Sequence, residues 1–133
     1  MRVASGSPLS LPLVYRADAA ASGAMGVLLL AAAAPLADAL GAPVALLRGA
    51  GVILVPFAAF LLWLAGRGGS VARALGWTVV AGNALWTLAS LLVLFEIPAL
   101  TALGRAFVLA QAAAVVTLTA LEAAALRTGL RAA

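Results

Sequence analysis

Four stretches of this chain are free, or nearly free, of charge, and each has the length of a bilayer crossing. Nineteen uncharged residues lie between Asp18 and Asp38, eighteen between Arg48 and Arg67, and twenty-two between Arg73 and Glu96. A further twenty-one separate Arg105 from Arg127, interrupted only by Glu122. A helix needs about 20 residues to cross roughly 30 Å of hydrocarbon, so all four stretches fit. Each is apolar on every side, without the alternation of a membrane barrel strand, and rich in the helix formers Ala and Leu. The sequence predicts an all-α membrane protein with four transmembrane helices, at approximately residues 18–40, 47–66, 73–96 and 103–126. The turns between them are short: Gly41-Ala42-Pro43, Gly66 to Ser70, and a third opening on Ile97-Pro98. Short links make successive helices neighbours in an antiparallel up-down bundle.

The composition belongs to the same solvent. Hydrophobic residues make up 66% and charged residues 9% of the 133, where a soluble domain carries about 45–50% and about 25%. One domain is expected over residues 16–133, preceded by a flexible or interfacial leader over residues 1–15 that contains Pro8 and Pro12. An alternative parse takes the run after Arg16 as a secretory signal, cleaved near the small residues Leu36 to Ala39. The long charged leader, which includes Asp18, favours a retained first helix.

Arginine placement sets the orientation. Arg2, Arg16, Arg67, Arg73, Arg127 and Arg131 fall on the side of the termini and the middle loop, and Arg48 and Arg105 on the other. This positive-inside bias predicts a multi-pass protein of the bacterial inner membrane with both termini cytoplasmic. The net charge of +4 is dispersed along the chain, which argues against nucleic acid as a partner.

Missing residue types remove whole chemistries. Without Cys there is no disulfide, thiolate nucleophile or sulfur-ligated metal, and without His there is no imidazole ligand, haem axial histidine or Ser-His-Asp triad. The sequence therefore nominates no catalytic, cofactor-binding or metal-ligating residue, and an enzyme is not expected.

Few polar residues remain as candidates. Asn83 and Gln111 are the sole amides, each near the middle of its window, and antiparallel neighbours could bring them face to face. Packing glue is the expected role, and a polar pathway or the reading of a cofactor carbonyl is the functional alternative. Trp86 lies beside Asn83 at mid-depth, whereas Trp63 and Trp77 fit an interfacial aromatic belt. At the outer face, Asp38 with Arg48 and Glu96 with Arg105 are spaced to close two hairpins as ion pairs, or to form a charged mouth. Asp18 and Glu122 are expected at the cytoplasmic interface, within snorkelling reach of water, although a buried Glu122 could carry protons. Pro35 and Pro56 should kink the first two helices, and Ser22, Gly23, Gly26, Gly49, Gly51, Gly76 and Gly82 should give shallow packing faces.

The stretches Leu47-Arg48-Gly49-Ala50-Gly51 and Ala81 to Ser90, which reads AGNALWTLAS, resemble segments of small four-helix bacterial inner-membrane proteins that are left uncharacterised. That resemblance covers most of the chain and implies the fold, but no activity and no site residues. The small multidrug exporters match in length and helix count, yet the acid expected in the middle of their first helix has no counterpart between Ala19 and Ala37. The leading functional expectation is an accessory, assembly or structural component of a membrane complex, acting through helix packing. The partners expected are the lipid bilayer and either further copies or a larger complex. The alternative is an oligomeric small-solute or ion carrier, or a channel, built on mid-membrane amides.

Overall fold

The computed structural model describes residues 10–67 and 69–132, and the described chain is helical apart from short turns. Five helices follow one another: α1 (Leu11–Ala31), α2 (Ala33–Leu40), α3 (Val44–Arg67), α4 (Gly69–Glu96) and α5 (Ala102–Ala132). Four of them, all but α2, are long and apolar enough to cross a membrane. Residues 1–9 of the expected leader, with Arg2 and Pro8, lie outside the described residues, as does Gly68 of the middle link. The rest of the leader differs from expectation. Pro12 stands in the first turn of α1, where its missing N–H removes no helical hydrogen bond, and residues 11–17 extend the first helix.

The expected first transmembrane helix is divided at Ala32, whose φ of −119° and ψ of 29° leave the helical region. Pro35 is the cause: it has no N–H for the Ala31 carbonyl, and its ring crowds that oxygen. Pairing continues around the break through Ala32 N to Leu28 O at 2.9 Å and Leu36 N to Ala32 O at 3.0 Å. Pro56 behaves differently, lying inside an uninterrupted α3 on an exposed face. Of the two prolines, only Pro35 interrupts its helix. α2 ends at Gly41, whose φ of 71° is the left-handed conformation that closes many helices.

Packing is most extensive between α1 and α3 and between α4 and α5, and α1 also touches α5. The first seam depends on missing side chains. A Cβ on Gly26 would stand 2.9 Å from Val55 Cγ2, and one on Gly51 would stand 2.9 Å from the Gly26 carbonyl oxygen. Gly23 faces Ala58 in the same seam, and Gly76 of α4 faces Leu126 of α5. Gly49 and Gly82 meet nothing within 4 Å, so these two members of the expected small-residue faces are not helix contacts.

Two apolar clusters fill the interior. One gathers Tyr15, Ala19, Leu61, Leu64, Ala72 and Val79, and the other Leu29, Ala33, Leu40, Leu47 and Leu54. The exterior is equally apolar: Phe95 is 80% exposed, Leu85 67% and Val52 61%. An apolar outer surface over four long helices is stable against hydrocarbon and unstable against water, so the molecule is a multi-pass membrane protein.

Candidate functional site

Buried polar side chains converge where α1, α4 and α5 meet, and helical spacing explains why. On α1, Tyr15, Asp18 and Ser22 recur at steps of three and four and share one face. On α4 the buried residues Ala72, Gly76, Val79, Asn83 and Ser90 keep the same rhythm, which aims Asn83 into the bundle. On α5, Gln111 and Glu122 are eleven residues apart, three helical turns, and lie on a common side.

Asn83 joins the acids. Its Nδ2 donates to Asp18 Oδ2 at 2.9 Å and to Glu122 Oε2 at 3.0 Å, tying three helices through one amide. Ser22 Oγ donates to Asp18 Oδ1 at 2.9 Å. Asp18 is 2% exposed, Asn83 4% and Glu122 0%. Glu122 Oε1 is buried and meets no hydrogen-bond partner. One turn from Asp18, the Tyr15 hydroxyl donates to the Ala72 carbonyl at 2.9 Å, so the ring spans from α1 to α4.

This geometry corrects three expectations. Asp18 and Glu122 do not reach out toward water: both carboxyls turn into the bundle, because their helix faces coincide with the packed stripes and because Asn83 gives them a partner there. Asn83 and Gln111 do not face each other. Gln111 Oε1 instead accepts from Trp86 Nε1 at 3.0 Å, while its Nε2 reaches the Val108 carbonyl at 3.1 Å. The two amides thus serve separate contacts, one turn apart on α4 and three turns apart on α5.

Nor do the outer charges pair. Among the described residues, neither Asp38 with Arg48 nor Glu96 with Arg105 comes within 4.0 Å, and all four side chains are exposed. Arg105 Nη1 lies 3.4 Å from the Leu94 carbonyl. The α2 end is joined instead by Thr101, whose N–H reaches Leu40 O at 3.0 Å and whose hydroxyl reaches Ala39 O at 2.8 Å. Those carbonyls close a helix and have no donor within it, which is why a backbone-directed clasp takes the place of ion pairs.

Two cavities flank the polar centre. A groove of about 390 Å³ lies between α3 and the α4–α5 pair, bordered by Ala50, Ile53, Trp86, Ser90, Phe107 and Gln111. Another, of about 280 Å³, opens where α1 and α4 begin and α5 ends, bordered by Ser10, Pro12, Ala72, Arg73, Thr128 and Gly129. Ala72, which borders this second cavity, also accepts the Tyr15 hydrogen bond through its carbonyl.

Tyr15 was not singled out by sequence reasoning, and Ser22 was noted only for its size. The signal was nonetheless present: Tyr15, Asp18 and Ser22 are three polar groups on one face of an otherwise apolar helix. Among the described residues, no three Asp, Glu, His or Cys side chains come together as a metal site would require. The centre offers two carboxyls, an amide and a hydroxyl, a set suited to holding a proton or a monovalent cation. Neither family models, nor curated proteins, nor solved structures give a match to this chain.

Proposed function

We propose that the chain is a small carrier-class protein of the bacterial inner membrane, handling a proton or small cation at the Asp18–Asn83–Glu122 centre. The observation that carries this reading is Glu122, wholly buried beside a second acid with one oxygen unpartnered. Ionisable groups inside membrane helices are costly, and packing glue is supplied more cheaply by hydroxyls or amides with every polar atom paired.

The proposed topology is an antiparallel bundle with both termini cytoplasmic. Its support is the α1–α3 seam, in which Gly23 meets Ala58, Gly26 meets Leu54 and Leu30 meets Gly51, together with the six-to-two arginine bias. The cavity beside Arg73 then opens to the cytoplasm. Transport by so small a bundle calls for further copies, so a homo-oligomer is part of the proposal.

A second reading, an accessory or assembly component acting through packing, draws on the exposed apolar faces of α3 and α4, which include Val52, Ile53 and Leu85. Reconstitution separates the two. Liposomes containing the purified protein and an entrapped pH-sensitive dye, given a cation or pH gradient, should show flux that falls at least tenfold in Glu122→Gln. Absence of flux, together with a heteromeric native particle by mass spectrometry, would establish the accessory reading instead.

A further inference from the structure

We infer that the Asp18–Asn83–Glu122 centre holds one exchangeable proton between its two carboxyl groups, supplied from the cavity behind Tyr15. The inference rests on the carrier reading and names its ligand.

Counting donors against acceptors leads there. Asp18 Oδ1 receives the Ser22 hydroxyl, Asp18 Oδ2 and Glu122 Oε2 receive the two Asn83 N–H groups, and Glu122 Oε1 receives nothing. The amide has no further N–H to give. Two carboxylates bonded to the same nitrogen stand close together, and like charges in a water-excluded interior do not both persist. A single proton on Glu122 removes one charge and provides the O–H donor that the count lacks. It arrives from water, bonds to a carboxyl oxygen, and returns to water when the site empties, with no other bond made or broken.

The same geometry disfavours a metal cation. Asn83 presents its N–H side to both acids, so the amide brings hydrogen-bond donors and no oxygen ligand to the two carboxyl groups. No compensating positive charge faces the pair either. From α1 the neighbouring titratable groups are Tyr15 and Asp18 itself, and α5 contributes Glu122. α3 packs on this region through the apolar Leu61 and Leu64, which cluster with Tyr15, and α4 brings Arg73 only to the cavity that Ala72 borders. Arg16 and Arg127 are exposed on the outside. Among the described residues no arginine lies within 4.0 Å of either carboxylate.

Tyr15 controls access. Its ring is fixed by the Ala72 carbonyl, and its hydroxyl lies so near Gly76 that a Cβ there would stand 2.9 Å away. The carbonyl that holds the ring belongs to Ala72, which also borders the cavity, so loosening of this hydrogen bond is the opening assigned to proton entry.

The test is infrared difference spectroscopy of the full chain in nanodiscs, following the C=O stretch of a protonated carboxyl through a pH titration. The expected result is one titrating band, equivalent to one proton per chain, unchanged when sodium is replaced by a bulky organic cation, and lost in Glu122→Gln. Tyr15→Phe should keep the band and speed its hydrogen–deuterium exchange by roughly fivefold, the effect of one lost hydrogen bond. No band at any pH, or a titration displaced by sodium, overturns the inference, and the wild-type titration decides even where a variant fails to fold. A band without liposome flux leaves the proton site standing and removes the carrier reading, whereas flux without a band does the reverse.

Discussion

Asn83 and Gln111 are the same kind of residue, yet the consequences of losing them should differ. Asn83→Leu strips two buried carboxyls of their shared donor, and leaving buried acids unsatisfied costs about 2–4 kcal/mol. Gln111→Leu frees one indole N–H beside a groove, and an interhelical hydrogen bond in a bilayer is worth about 0.6–1.7 kcal/mol. Reversible unfolding in bicelles should therefore rank Asn83→Leu well below Gln111→Leu, and equal losses would contradict the network described here. The composition drew attention to both amides because they are so few. It could not pair them, since pairing depends on the rotation of each helix about its axis, and in uniformly apolar helices that rotation leaves little trace in the sequence.

Among the elements, the α1–α3 seam and the Thr101 clasp invite the clearest tests. Gly26→Val would push a branched side chain into Leu54 and Val55, and overpacking of this kind costs about 1–3 kcal/mol. Gly82→Val, on a face that meets nothing within 4 Å, should change bundle stability by less than about 0.5 kcal/mol. The same unfolding assay compares them, and a similar loss at both positions would mean that close helix approach is not what the seam requires. Thr101→Val removes the hydroxyl that donates to Ala39 O and accepts from Gly104 N–H, and should loosen α2 from α5 at about 1–2 kcal/mol, with faster amide exchange at residues 36–41 and at Gly104. The four windows indicated where the long helices lie, and Pro35 was legible as a disturbance. Why Pro35 interrupts its helix while Pro56 does not is a matter of tertiary support. Both prolines are exposed, but α2 is held from outside by Thr101 and rests as a separate piece, whereas α3 is tied to α1 by the most extensive helix packing in the bundle.

For the whole molecule, among the described residues, large apolar side chains face outward along the long helices while the Asp18 and Glu122 carboxyls are buried, the reverse of a water-soluble bundle. Leu85→Arg, at a position 67% exposed near the middle of α4, should impair insertion, because an arginine at the centre of a membrane helix costs about 2.5–3.5 kcal/mol on insertion scales. Arg48→Ala should leave the fold unchanged, since Arg48 is exposed and forms no ion pair with Asp38. A membrane-insertion assay measures the first, and thermal unfolding in detergent the second. Reporter fusions at the two termini should both read cytoplasmic, and opposite locations would exclude the topology proposed above.

What the sequence determined by itself was the solvent and the count of crossings. Charge-free length is a local property, readable residue by residue against the thickness of a bilayer, and four such windows correspond to four helices long and apolar enough to cross one. The first helix begins at Leu11 and not near Asp18, which the charge-free window takes as its boundary marker. That acid looked like an end because charges usually stay at membrane edges. Only the tertiary structure brought Asn83 and Glu122 to its side, from 65 residues away on one helix and across a third, and so turned an edge charge into the polar centre of the bundle. Burial of a charge is decided by what stands opposite it, and that partner is fixed by packing among helices and not by the neighbours in the chain.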